Sequence, residues 1–164
     1  MHETPIHAAV DPGHGKVLSL LIEHGADMEA QSMSISGGTP LHRAASYGRL
    51  EVGQCLLDHG ANINARDDER DTPLMQAVIS GHVEFARMLL ERRAAIDVRG
   101  SHGRTSLHRA IVMKRPEAVQ LLLQNRADIG LRDERGQTPF KLASSSSRGN
   151  QEIVELMSAY INTS

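Results

Sequence analysis

The chain has 164 residues, room for one domain of ordinary size, and its 18 basic and 20 acidic residues give a formal net charge of -2. That balance leaves no electrostatic footprint for nucleic acid or an anionic membrane, and an aromatic content of 2% is low for a globule built around one thick core. A single cysteine, Cys55, excludes an intramolecular disulfide and fits a reducing compartment. No apolar run approaches the roughly 20 residues of a membrane span, and the N-terminus lacks a signal-peptide pattern, so the expectation is a soluble, intracellular protein of the cytoplasm or nucleus.

The first block opens at Thr4 as TPIHAA. Asp11 to Lys16 (DPGHGK) looks like part of a phosphate-binding loop but fails as one: Val10 stands where the motif needs glycine, and Val17 where Ser or Thr would ligate magnesium. Gly13 instead falls at a turn between two short helices. The block starts almost at Met1, without a preceding finger, so its leading helix faces solvent without the polar cap that repeat arrays use. On that ground the chain is expected to be a segment of a longer protein, with a short natural form as the alternative. Gln31 to Gly38 (QSMSISGG) is an uncharged insertion, either a plain loop or a fingertip offering Met33 and Ile35 to a partner.

Thr39 to Asp67 (TPLHRAASYGRLEVGQCLLDHGANINARD) shows the unit most clearly. The Thr39 hydroxyl can cap free amides, and Pro40 suits the first helical position. Leu41, Ala44 and Ala45 fall on one face of a short helix that Gly48 ends. Leu50 starts a second helix with Val52, Cys55, Leu56 and Leu57 on its apolar face. Gly60 sits where a left-handed C-cap is expected, and a polar turn follows. Neither helix can bury its apolar face alone. Cys55 shares its position with Leu20, Met88 and Leu121, which assigns it to the core rather than to a reactive thiol.

The third block (TPLMQAV, from Thr72) has Met75 where histidine stands elsewhere, and Arg66 to Asp71 before it (RDDERD) is dense in both charges. Arg93 takes the place of the capping glycine, as does Arg126 in the fourth block (TSLHRAI, from Thr105), where Lys114 also replaces the inter-helix glycine. A non-glycine residue in left-handed geometry is strained. Pro116 falls near a helix start, where it is tolerated. The fifth block (TPFKLAS, from Thr138) drifts furthest. Lys141 replaces the histidine, Ser144 to Ser147 with Arg148 lengthens the inter-helix turn, and Gly149 arrives late. A last helix, Gln151 to about Tyr160, turns Ile153, Val154, Leu156 and Met157 inward. A polar, irregular final block suits a C-terminal cap; phosphorylation of the serine run is the weaker reading.

The five threonines are separated by 35, 33, 33 and 33 residues. A 33-residue period with TPLHxA openings resembles the ankyrin repeat, and the resemblance runs from Thr4 to about Tyr160. It implies an all-α solenoid of stacked helix-turn-helix units with short β-hairpin fingers. The expected repeats are about 4–36, 37–69, 70–102, 103–135 and 136–161, in a single domain over 1–164. It also implies non-catalytic protein–protein recognition on a concave face by a monomer, with no cofactor or metal, and with neither nucleic acid nor membrane as partner. The alternative is a regulatory or scaffold segment that docks on another domain of a longer chain.

By the family pattern, the positions free to meet a partner are the fingertips before each threonine and the last residues of each first helix. Here they are Tyr47, Asp68, Glu69, Asp71, Ile79, Ser80, Ser101, His102, Arg104, Val112, Met113, Glu134, Arg135 and Gln137. Ile79, Val112 and Met113 make an apolar strip in adjacent repeats with Tyr47 beside it; packing between repeats is the competing account of Ile79 and Val112. Of nine histidines, His7, His42 and His108 stand three residues after a threonine, where the resemblance implies hydrogen bonds within and between turns. His24 and His59 precede a capping glycine, a position that suits histidine. Zinc needs three or four convergent ligands, and no Cys/His cluster has close metal-ligand spacing. Nor does the chain carry a G-x-S-x-G elbow or another nucleophile signature.

Overall fold

The computed structural model describes residues 4–11, 15–32, 37–145 and 150–163. The turn at Gly13, the fingertip residues Met33 and Ile35, and the serine run from Ser146 through Arg148 to Gly149 lie outside the described residues. Among the described residues ten α-helices pair off: α1 (Pro5–Val10) with α2 (Gly15–Glu23), α3 (Pro40–Tyr47) with α4 (Leu50–Asp58), α5 (Pro73–Ser80) with α6 (Val83–Glu91), α7 (Ser106–Val112) with α8 (Pro116–Gln124), and α9 (Pro139–Ser145) with α10 (Gln151–Thr163). Each odd-numbered helix packs on the odd-numbered helices before and after it, and the even-numbered helices do the same, so the pairs form two layers. Each pair leans mainly on its neighbours, as in a one-dimensional stack.

The core between the layers is small and aliphatic. Leu41, Ala44, Leu74, Ala77, Leu107 and Ala110 close it from the odd-numbered helices, and Leu56, Leu89 and Leu122 from the even-numbered ones, all essentially without exposure. The one fully buried aromatic, Phe85, explains a residue that helix propensity disfavours: a Cβ on Gly53, in the middle of α4, would collide with the Phe85 ring. Cys55 departs from its core assignment. It is half-buried, with its sulfur 3.3 Å from Ser19 Oγ. The same position is 56% exposed at Leu20 and only 7% and 3% at Met88 and Leu121, so burial there depends on the neighbouring pair as well as on phase.

In the first, second and fourth pairs, threonine and histidine together fix the helix start to the next finger. The Thr39 N–H donates to His42 Nδ1 (3.1 Å) while the Thr39 hydroxyl lies 2.9 Å from the same nitrogen. That leaves Nε2 to carry the proton and donate to the Asp71 carbonyl at 3.1 Å, in the following finger. Thr105 and His108 repeat the arrangement, reaching the Gln137 carbonyl (3.1 Å), and His7 reaches the Gly38 carbonyl (3.1 Å). Burial pushes all three imidazoles below the ordinary histidine pKa, although hydrogen bonds to those carbonyls and nearby carboxylates favour the charged form. Protonating Nδ1 would also place a proton against the threonine amide.

A second ladder joins the loops after the even-numbered helices. Glu29 accepts from the Asn62 amide (2.8 Å), Asn64 from the Ala95 amide (2.8 Å) and Asp97 from the Asp128 amide (3.0 Å). A third link caps odd-numbered helices from the next repeat: His82 Nε2 lies 3.0 Å from the Ser46 carbonyl, and Arg115 donates to the Ile79 carbonyl at 3.3 Å. Helix ends leave such carbonyls without an intrahelical partner.

No strand occurs among the described residues, so the β-hairpin form expected of the fingers is not confirmed. A backbone bond spans the base of each, from Ser32 N–H to Gly38 O (3.0 Å), Asp67 to Asp71 (3.1 Å), Gly100 to Arg104 (2.8 Å) and Asp133 to Gln137 (3.0 Å). The strained caps take the expected form: Arg93, Lys114 and Arg126 have φ of 65, 52 and 62° where other repeats place glycine. The fifth block differs from expectation. Ser144 and Ser145 finish α9 rather than lengthening the turn, with hydroxyls bonded back to the Lys141 and Leu142 carbonyls (3.1 Å each), and α10 continues past Tyr160 to Thr163.

Three measurements check this account. Leu89→Ala should lose roughly 2–5 kcal/mol in a urea melt, because Leu89 is fully enclosed and the cavity cannot collapse without moving two repeats. Arg93→Gly and Arg126→Gly should each gain up to about 1 kcal/mol from relieved left-handed strain, less glycine's entropy in the unfolded chain; lower melting of both would mean that the arginine side chains make compensating contacts. The histidines set a pH dependence. Their folded pKa values are depressed, so the unfolded chain takes up more protons as pH falls. Their contribution is fully present above about pH 6.5 and is lost as pH drops through the folded values, with a slope of at most about 1.4 kcal/mol per pH unit for each histidine. Stability measured from pH 7.5 down to 5.5 should therefore fall, and His42→Gln should flatten that fall as well as destabilise.

Candidate functional site

The C-terminal ends of α3, α5 and α7 stand side by side and carry the apolar strip. Tyr47 is 47% exposed, Val112 36% and Met113 39%, while Ile79 and Ser80 are half-buried. The half-burial of Ile79 agrees with packing between repeats; the exposure of Val112 does not. Tyr47 is anchored at its base by Arg43, whose guanidinium carbon lies 6.0 Å from the ring centre. Arg43 is itself buried and forms a two-point ion pair with Asp11 at the end of α1. The aromatic face therefore rests on a charge that is already compensated.

Beside it run the fingers. Asp67 Oδ1 accepts from the amides of Glu69 (3.0 Å) and Asp71 (2.8 Å), and Asp133 Oδ1 from those of Arg135 (2.9 Å) and Gln137 (3.0 Å). Each aspartate thereby folds its finger locally and presents the tip residues to solvent. Asp68, Glu69, Glu134, Arg135 and His102 are exposed; Ser101, Arg104 and Gln137 are half-buried. Neighbouring tips are joined where the Glu134 amide donates to the His102 carbonyl at 2.9 Å. Burial disfavours the Asp133 carboxylate, but the Gln137 and Arg135 amides, with His108 and Arg104 adding to them, outweigh it and hold its pKa below the usual range. The tip charges alternate in sign and offer no single field.

Asp71 corrects the expectation that it is free to meet a partner. It is buried, and its Oδ2 accepts from Arg109 Nη2 at 2.6 Å while Oδ1 accepts from the Ser101 amide at 3.1 Å. The reason lies in Gly100, which stands where the flanking fingers have Asp67 and Asp133. A Cβ at Gly100 would collide with the Asp71 carboxylate and the Met75 thioether. With no aspartate of its own, the middle finger is held by the carboxylate of its neighbour. Arg109, which also donates to Ser101 Oγ (2.6 Å), locks the borrowed group in place. Arg43 and Arg109 were not among the sequence-derived site residues, although each directly follows a motif histidine, which is the one sequence signal they share.

Among the described residues no cluster of three or more His, Cys, Asp or Glu side chains is placed to hold a metal ion, and no helix is long and apolar enough to cross a membrane. A family model described as ankyrin repeats, in three copies, matches residues 1–67 and 66–133. No curated protein matches the chain. The matched stretches take in four of the five helix pairs with their threonine-led starts, three of them carrying the motif histidine: the chain belongs to the ankyrin-repeat family.

Proposed function

We propose that the chain is a non-catalytic recognition module that binds a protein partner, as a monomer, on the concave face made by the ends of α3, α5 and α7 and the adjoining fingers. Ankyrin repeats are generally protein-interaction modules. The observation that carries the finer reading is the exposure of Tyr47 at the end of α3 and of Val112 and Met113 at the end of α7, with half-buried Ile79 at the end of α5 between them. Large apolar side chains in the open cost free energy unless a partner covers them. Binding energy concentrates in a few central residues that lose their water, and Tyr47, Ile79, Val112 and Met113 are placed to be those. Ser80, Ser101, His102 and Gln137 supply polar contacts around them. The charged tips Asp68, Glu69, Arg104, Glu134 and Arg135 form a rim that tunes association rate and salt dependence. Asp71 has no part in the contact.

Residues 1–164 act in this reading as one domain of five repeats, with fingers of hairpin form. A standard interface uses on the order of 20 to 30 residues per side, which several repeats together supply and one does not.

The test is a pull-down from source cells with the parent chain, repeated with a Tyr47→Ala, Met113→Ala double variant. Capture of a partner should be lost in the double variant while its circular dichroism and melting stay near the parent. Gln54→Ala with Gln120→Ala, exposed on α4 and α8, should leave capture intact. The reverse pattern would put the partner on the even-numbered helices and overturn the assignment.

A further inference from the structure

The repeat lines up a second set of side chains that the apolar strip does not use. Arg66, Arg99 and Arg132 stand at 33-residue spacing, each immediately before a finger, and all three are exposed. Arg66 Nη2 donates to the Arg99 carbonyl at 3.2 Å, which sets the first guanidinium against the second finger. Arg132 Nη1 donates to the Gly136 carbonyl at 3.0 Å, across the base of the third. Among the described residues none of the three has a carboxylate within ion-pair distance. The loop acceptors two residues before Arg66 and Arg99, Asn64 and Asp97, are committed to the Ala95 and Asp128 amides. The acids that line up in the same way, Glu51, Glu84 and Glu117, stand at the first turns of α4, α6 and α8, at the other end of those helices.

We infer that this arginine column at the finger bases is a docking track for an extended acidic protein segment running along the stack. The spacing suggests the register. Helices packed side by side lie about 8–10 Å apart, and a chain in the extended polyproline II form advances about 3.1 Å per residue with three residues per turn, so a carboxylate at every third residue returns to the same face and meets successive guanidinium groups. Arginine suits the task because its planar fork takes a carboxylate by two donors, and two of the three are held by backbone carbonyls before any ligand arrives. A polyphosphate backbone fits less well. The exposed Glu69 and Glu134 of the flanking fingers repel a continuous line of charge, whereas a peptide can set uncharged residues over them. The track stands apart from the Tyr47–Met113 strip, but it rests on the same reading of the chain as a protein-binding module.

The test uses the whole chain and three probes: a peptide with aspartate at every third residue separated by Gly-Ser, a peptide of the same composition with its aspartates contiguous, and a single-stranded oligonucleotide. Arginine side-chain Nε–H NMR signals report the site. The spaced peptide should shift the Arg66, Arg99 and Arg132 signals, bind more tightly than either control, and weaken as salt rises. The Arg66→Gln, Arg99→Gln, Arg132→Gln variant should bind it at least about fivefold more weakly, since exposed pairs are individually modest, and the triple Arg→Lys variant should recover part of that loss. The Tyr47→Ala, Met113→Ala variant should bind the peptide as the parent does, so loss of the track and loss of the apolar face are read separately. Equal binding of the spaced and contiguous peptides, tighter binding of the oligonucleotide, shifts confined to other arginines, or a triple Arg→Gln variant that binds like the parent would each overturn the proposal.

Discussion

The hydrogen bond from a motif histidine to the carbonyl that closes the next finger is the constraint on which the stack depends. A finger base is buried between two repeats, and a backbone carbonyl there needs a donor. His7, His42 and His108 supply it from one repeat earlier, and each imidazole is held in the necessary tautomer by the threonine three residues before it. One side chain thus ties a helix start, its own repeat and the following finger. That is how a stack of helices of two turns or so stays in register without a large core.

The third repeat, which lacks this bond, shows how far its loss propagates. Met75 has no proton to give, and the finger that follows is built differently. Gly100 replaces the folding aspartate, Asp71 lends its carboxylate, and Arg109 pairs with it across a repeat boundary. A buried ion pair is a costly way to satisfy polar groups unless its geometry is good and its remaining valences are met. Here Asp71 is bonded to both Arg109 and the Ser101 amide, which meets that condition. The middle finger is correspondingly distinct, with a short 3-10 turn and a left-handed His102 at its tip.

Repetition also turns each sequence position into a line across the molecule. The loop acceptors Glu29, Asn64 and Asp97 bind the next loop's amides, and His82 and Arg115 cap the previous repeat's helix. Because these structural lines run at positions separate from Tyr47, Val112 and Met113, the exposed residues can vary without disturbing the scaffold. The same logic places Arg66, Arg99 and Arg132 in register. Surface chemistry and fold are carried by different phases of one repeat.

Much of this was legible in the residues themselves. The period, the helix pairs, the threonine-proline starts, the burial of Leu56, Leu89 and Leu122, and the left-handed Arg93 and Arg126 follow from local rules that act within one repeat and are then copied. The face carrying Tyr47 and Met113 was likewise foreseeable from phase, as exposed positions at helix ends. Tertiary structure alone decided the rest, because those outcomes hang on residues roughly one repeat away. Asp71 reads as a free tip until Arg109 and Gly100 are brought beside it. Cys55 reads as core until the environment of its own position proves shallower than that of Met88 and Leu121. Period and phase are properties of a single strand of sequence, whereas burial and charge pairing are settled only when one repeat meets the next.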